Sequence, residues 1–136
     1  MRNLTLLLVL LILSLFSLSA QTKWYKATFV FLNKDEIVKE WDAVDFDISW
    51  AENILPGTNA DAHLVKFHND DNESYFLTKI DSEHSDGQEI ESFFALDKNS
   101  QPLYFFFIKN PNGKLFIVLA NDDIAVYFNI EEKKES

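Results

Sequence analysis

The sequence predicts an all-β domain of about eight antiparallel strands, and three observations carry that reading. Short apolar segments rich in Phe, Tyr, Trp, Val and Ile recur at intervals of about 8 to 15 residues, separated by polar turns. Val44 to Trp50 alternates with a period of two, placing Val44, Phe46, Ile48 and Trp50 on one face and Asp45, Asp47 and Ser49 on the other. Leu103 to Ile130 reads as three consecutive strands joined by tight turns. In its first turn, Pro111 presets φ for a type I turn, Asn112 tolerates the next position, and Gly113 can take the positive φ of a bulged hairpin.

The first twenty residues read as an export signal. Met1-Arg2-Asn3 is a short positive n-region, and Leu4 to Leu18 is an apolar stretch softened by Ser and Thr. Cleavage after Ala20 leaves one domain over residues 21–136; cleavage after Ser19 would move its start by one residue. An uncleaved anchor is the alternative, because the apolar run approaches bilayer-spanning length, but no dense basic stop-transfer flank follows it. The expected location is therefore outside the cytoplasm: periplasmic, cell-surface or extracellular, with no stable membrane insertion once the signal is removed.

Composition narrows the partners. Arg2, the single Arg, lies in the signal, so residues 21–136 set 22 acidic side chains against 11 Lys, a net charge of −11. Such a surface repels nucleic-acid phosphates and anionic lipid. A basic partner is compatible with it, as is plain solubility outside the cell. With no Cys in the chain, the domain must be held by its core, and disulfide-stapled scaffolds are excluded. At 116 residues the domain is long enough to bury such a core.

In chain order, Lys23 to Leu32 is the first strand, ending at Asn33-Lys34-Asp35-Glu36. Ile37, Val38 and Trp41 have spacings that suit a single helical turn. Val44 to Trp50 is the second strand, and Asn53 to Asp61, punctuated by Pro56-Gly57, is a loop. Ala62 to His68 and Ser74 to Ile80 form a hairpin around Asn69 to Glu73. Asp81 to Gly87 reads as a polar turn before Glu89 to Leu96, and the three strands of Leu103 to Ile130 complete the count. Eight antiparallel strands in this length fit a small closed up-and-down barrel of the lipocalin or streptavidin type, with a β-sandwich as the alternative. Closure would also hide LYFFFI and LFIVLA, which are hazardous as free edges. Because Tyr104, Phe106 and Ile108 make the second face of their strand apolar as well, something must cover that face: a short helix, the 51–60 segment, or a partner.

The chemical inventory points away from an enzyme. His63 and His68 are five apart on one strand and face opposite sides, so they cannot chelate together. His84-Ser85-Asp86 is a neighbouring set in a surface loop, not the spatial arrangement that activates a nucleophile. Asp70, Asp71, Asn72 and Glu73 are oxygen-rich, but the spacing of a calcium loop is absent and a solvated hairpin tip explains them; Asn72-Glu73-Ser74 also matches a glycosylation sequon. Asp45 and Asp47 share a solvated strand face, whereas a general acid needs burial to raise its pKa. No cofactor or metal site is expected. The aromatic residues are the remaining candidates, with 13 Phe, four Tyr and three Trp. Trp24, Tyr25 and Trp41 lie in more polar surroundings suited to the rim of a pocket or an interface, and Phe105 and Phe107 can line an interior. Core filling is nevertheless the plainer reading, and Phe94, Phe105 and Phe116, each within an apolar strand, belong to the core on any reading.

Lys23-Trp24-Tyr25-Lys26-Ala27-Thr28 after the signal, Val44-Asp45-Phe46-Asp47-Ile48, Tyr75 to Ile80 and Asn121 to Asn129 together resemble small secreted β-barrel proteins of Bacteroidetes-type bacteria, which are largely without assigned activity. The resemblance implies compartment and fold and carries no site residue. The function expected from the sequence is an exported, non-enzymatic binding protein. It would hold a small apolar ligand in its barrel, using Trp24, Tyr25, Trp41, Phe105 and Phe107, or would serve as a protein-interaction module, an inhibitor or accessory subunit with an exposed aromatic patch. A lumen of roughly 300 Å³ or more would favour the first and a filled interior would sink it. A contiguous exposed apolar patch beyond a few hundred Å² would support the second and a wholly polar exterior would count against it.

Overall fold

The computed structural model describes residues 22–34, 37–38, 41–55 and 61–133. The expected export signal and cleavage point, and the expected Pro56-Gly57 turn, lie outside the described residues. The longest strand, β1 (Thr22–Lys34), pairs antiparallel with β3 (Asp42–Ala51) on one side and with β9 (Ile124–Glu132) on the other. Between them run β4 (Ala62–His68), β5 (Ser74–Ser85), β6 (Gln88–Leu96), β7 (Pro102–Lys109) and β8 (Leu115–Ala120), each paired with its neighbours in sequence. The result is an eight-stranded, antiparallel, up-and-down barrel. A sandwich would leave β1 and β9 unpaired, so their nine-residue register decides against that alternative.

Three local expectations are corrected. The helical turn foreseen around Ile37, Val38 and Trp41 is replaced at Ile37–Val38 by a two-residue strand, β2, which folds back on Asn33 and Lys34. Asp81 to Ser85 is not turn but the second half of β5, with Ser85 opposite Gln88. The reversal needs only Asp86 and Gly87, both at positive φ (51° and 81°), as a two-residue type I′ hairpin requires. His84 is accordingly on a strand and not in a loop. The Asp-Gly pair was the available signal; the polar composition of Asp81 to Ser85 obscured it.

Inward residues fill the barrel. Ala27, Ile48, Val65, Phe67, Leu77, Ala95, Phe105 and Ile117 are completely inaccessible to solvent. Eight strands enclose a space just wide enough for side chains, and large rings occupy it here. Trp50 is the hub. Its ring lies 5.4 to 5.8 Å from those of His63, Phe93, Phe105 and Phe107, all edge to face, the arrangement that aromatic quadrupoles favour.

Two bulges steer side chains between faces. In β1 the register shifts at Thr28, so Ala27 pairs with Ile130 and faces inward while Phe29 pairs with Asn129 and faces out. Thr28 Oγ1 donates to the Asn129 carbonyl at 3.2 Å, giving that backbone group a partner at the irregularity. In β5 the extra residue is Ile80, left largely exposed.

Replacing Phe105 by Ala should lower unfolding free energy by about 3 to 5 kcal/mol, because the ring is fully enclosed and the cavity cannot collapse onto a shorter strand. Gly113→Ala should cost only about 1 kcal/mol, since Gly113 sits at φ +86° but a Cβ there would meet nothing within 4 Å. Urea unfolding of both variants checks the ranking.

Candidate functional site

The five aromatic residues singled out from the sequence do not converge. Phe105 is buried at the barrel centre with no exposure. Tyr25 and Phe107 face inward nearer the end where β1 begins, their rings 5.8 Å apart. Trp24 points outward and stacks on His68 at 5.3 Å. Trp41 also lies outside, against Phe31 and Phe116 at 5.3 and 6.3 Å. The five are divided among the barrel interior, one mouth of the barrel and its outer wall.

At the mouth, Tyr25, Trp50 and Phe107 form the base of a cleft of about 160 Å³, rimmed by Lys23, Glu52 and Glu91. Lys23 Nζ pairs with Glu52 at 3.1 Å, and Lys79 reaches Glu91 at 3.6 Å and Asp61 at 4.0 Å. Trp50 Nε1 donates to His63 Nδ1 at 3.1 Å, so the proton of a neutral His63 ring resides on Nε2. That Nε2 is 2.6 Å from Asp61 Oδ1, an ion-pair separation, but the two do not meet the geometry of a hydrogen bond. Burial, and after it the carboxylates of Glu132, Glu52 and Glu91, push the Tyr25 phenol up to about 12. The cleft is small and ringed by charge, which suits a few waters or a polar group better than an apolar ligand.

The outer wall is divided. Over β1, β3 and β4 it is polar: Lys26 pairs with Asp45 and Lys133 with Asp47, each at 3.0 Å. Ser49 Oγ lies 2.9 Å from His68 Nε2 on this wall, a hydroxyl–imidazole contact. Asp47 sits opposite His68 in the register but gives its carboxylate to Lys133, so the pair gains no orienting acid from that neighbour. His63 faces in and His68 out, as the strand period required. Among the described residues no three His, Asp or Glu converge in a way that could hold a metal ion.

Over β6 to β9, the Phe76 end of β5 and the distal half of β1 the outer wall is largely apolar. Tyr104, Phe106 and Ile108 of β7 project outward beside Phe94 and Ile90 of β6 and Val118 and Phe116 of β8. Phe94 and Tyr104 are directly opposite one another and stay 42% and 51% exposed, with Phe76 on β5 at 37%. A groove of about 340 Å³ lies farther round, between Phe29, Trp41 and Phe116. A second, of about 320 Å³, runs beside Phe94 and Tyr104 to Asn121 and Asp122. Of the 51–60 segment, the Ile54 amide bonds to the Ala62 carbonyl at the start of β4, and residues 56–60 lie outside the described residues. Sequence reasoning flagged the double-sided apolarity of Leu103 to Ile108, but it assigned Phe94 and Phe116 to the core, where the register turns both outward, and it did not single out Phe76 or Phe29 as surface residues, because these faces depend on register and on the Thr28 bulge.

The acidic hairpin tip behaves as a turn. Asn69 Oδ1 accepts from the Asn72 amide at 2.9 Å, and Glu73 Oε2 accepts from the Tyr75 hydroxyl at 2.6 Å. Burial, then that bond and the nearby acidic charge, raise the Tyr75 pKa well beyond the ordinary phenol value. Both Tyr25 and Tyr75 thus hold their protons more tightly when folded than when unfolded. Their contribution is complete below pH 10 and is lost as pH rises through the folded values, so stability should fall between about pH 10 and 12. Absorbance titration of tyrosinate with parallel urea unfolding measures this; Tyr25→Phe should remove part of the decline. Comparison with protein family models, curated proteins and solved structures finds no match to this chain.

Proposed function

We propose that this chain is an exported, non-enzymatic binding protein that works through the outside of its barrel, as a protein-interaction module. One observation carries the reading: the lumen is packed with fully buried side chains, while Phe76, Phe94 and Tyr104 remain more than a third exposed in one patch outside. Folding drives large rings inward wherever the register allows, and aromatic residues kept at a surface supply contact area at small entropic cost when a partner covers them. The charged wall over β1, β3 and β4 supports a partner on one side over a lipid belt on all sides. The small-ligand reading is less well supported, since the charged cleft at Tyr25 and Phe107 holds about 160 Å³, below the roughly 300 Å³ that a ligand pocket takes. Export rests on the apolar stretch Leu4 to Leu18 and the small residues that follow it.

Native mass spectrometry of the protein isolated from its own cell envelope tests this directly. The expected result is a co-purifying protein mass that is retained by the natural sequence and lost from a Phe94→Ser/Tyr104→Ser variant of unchanged circular dichroism. A bound small molecule that survives that double substitution, or a partner retained undiminished by the variant, would overturn it.

A further inference from the structure

Where the apolar wall meets the end of the barrel at which β1 finishes, the groove beside Phe94 and Tyr104 acquires a charge. Its other lining residues are Pro102, Leu103, Asn121 and Asp122. Ala120, opposite Tyr104 in the register, is too small to shield the phenol ring, and the β8–β9 turn rises directly beside it. That turn is held open by Asn121, whose side-chain oxygen accepts from the amides of Asp123 and Ile124 at 2.9 Å each. Asn121 therefore does the structural work, and Asp122 makes no ion pair or hydrogen bond among the described residues. Among the described residues, the β4–β5, β6–β7 and β8–β9 loops at this end carry Asp70, Asp71, Glu73, Asp97, Asp122 and Asp123 against one cation, Lys98, whose Nζ is engaged on the Asp71 carbonyl at 2.9 Å.

We propose that this groove receives an arginine side chain from a basic segment of a partner protein, its guanidinium lying on the exposed ring of Tyr104 or Phe94 and pairing with the Asp122 carboxylate. The proposal rests on the interaction-module reading and specifies the partner's chemistry. Two half-exposed aromatic rings beside an unpaired carboxylate present what a guanidinium uses best, a π face and a planar acceptor at one spot. Arg is preferred to Lys because its flat, weakly hydrated group stacks and bonds together. The surrounding negative field draws a cationic segment toward this end and repels nucleic acid and anionic membranes. The groove is open, and Phe76, paired with Leu96 on the neighbouring strands, keeps the adjoining wall apolar and exposed, so the groove suits a residue carried on a chain that covers that wall better than a free small cation.

Amide-resolved NMR titration of the purified protein with the peptide acetyl-Gly-Arg-Gly-Arg-Gly-amide tests this, with the citrulline peptide, neutral and of the same shape, as comparison. Expected are shifts concentrated at Phe94, Tyr104, Asn121 and Asp122, binding at least five-fold weaker for Asp122→Asn, and binding weaker by a similar factor for Tyr104→Leu, which keeps apolar area but removes the π face. Citrulline should bind at least ten-fold more weakly. Equal binding of the two peptides would overturn the proposal. Shifts spread evenly over residues 69–73 and unchanged by Tyr104→Leu would also overturn it. If the arginine peptide fails while the Phe94→Ser/Tyr104→Ser variant still loses its envelope partner, the basic-segment proposal falls and the interaction-module reading stands. If the peptide binds as expected and the envelope partner is indifferent to those residues, the outcome is reversed.

Discussion

The seam between β1 and β9 is the constraint on which the rest of the molecule depends. Along it, Tyr25 to Lys34 meets Ile124 to Glu132 in a continuous antiparallel register interrupted only at Thr28. With that seam closed, no strand of the eight is left as a long open edge, so β7 and β8, with sequences LYFFFI and LFIVLA, are paired on both sides and cannot template aggregation. Closure also fixes the diameter. Once the diameter is fixed, every inward position must be filled by whatever side chain the register places there, and the large rings around Trp50 are the consequence.

A filled interior moves the question of function outward. A barrel that holds a ligand leaves space among its inward residues, whereas this one encloses Phe67, Phe93 and Phe105 without measurable exposure beyond 1%. The outer wall, by contrast, is asymmetric. One half balances Lys against Asp in pairs across strands, and the other keeps aromatic rings in view of solvent. Such a division has a free-energy cost in isolation, since exposed rings gain nothing from folding, and it makes sense when an external surface covers them. The same wall ends in an acidic rim, which gives the apolar patch a direction and a sign.

Much of the architecture was legible in the residues. The strand alternation at Val44 to Trp50, the Asn110 to Gly113 turn and the both-sided apolarity of Leu103 to Ile108 each appear in the structure in the form the sequence predicts, with Gly113 at φ +86° and Tyr104 facing out. The site was much less legible. Of Trp24, Tyr25, Trp41, Phe105 and Phe107, only Tyr25 and Phe107 share one cleft; the others lie apart from it. Polar sequence neighbours suggested a pocket rim for Tyr25, and it lines the mouth cleft with Phe107, while Trp24, one residue earlier, goes to the opposite face. The far half of β5 was missed because strand pairing to β6, and not hydrophobic patterning, holds Asp81 to Ser85 extended.

By itself the sequence determined the class of fold, the positions of most strands and the acidity of the surface, because local alternation, turn chemistry and charge are properties of neighbouring residues. Only the tertiary structure decided which rings are core and which are surface. Tyr25, Ala27, Phe29 and Phe31 keep one parity in the chain, and a regular strand would send all four to the same side. The bulge at Thr28 reverses the last two, so that Phe31 meets Tyr127 on the outside of the barrel while Tyr25 stays within. Where a strand slips by one residue depends on the lengths and registers of both its partners, and those are distant in sequence.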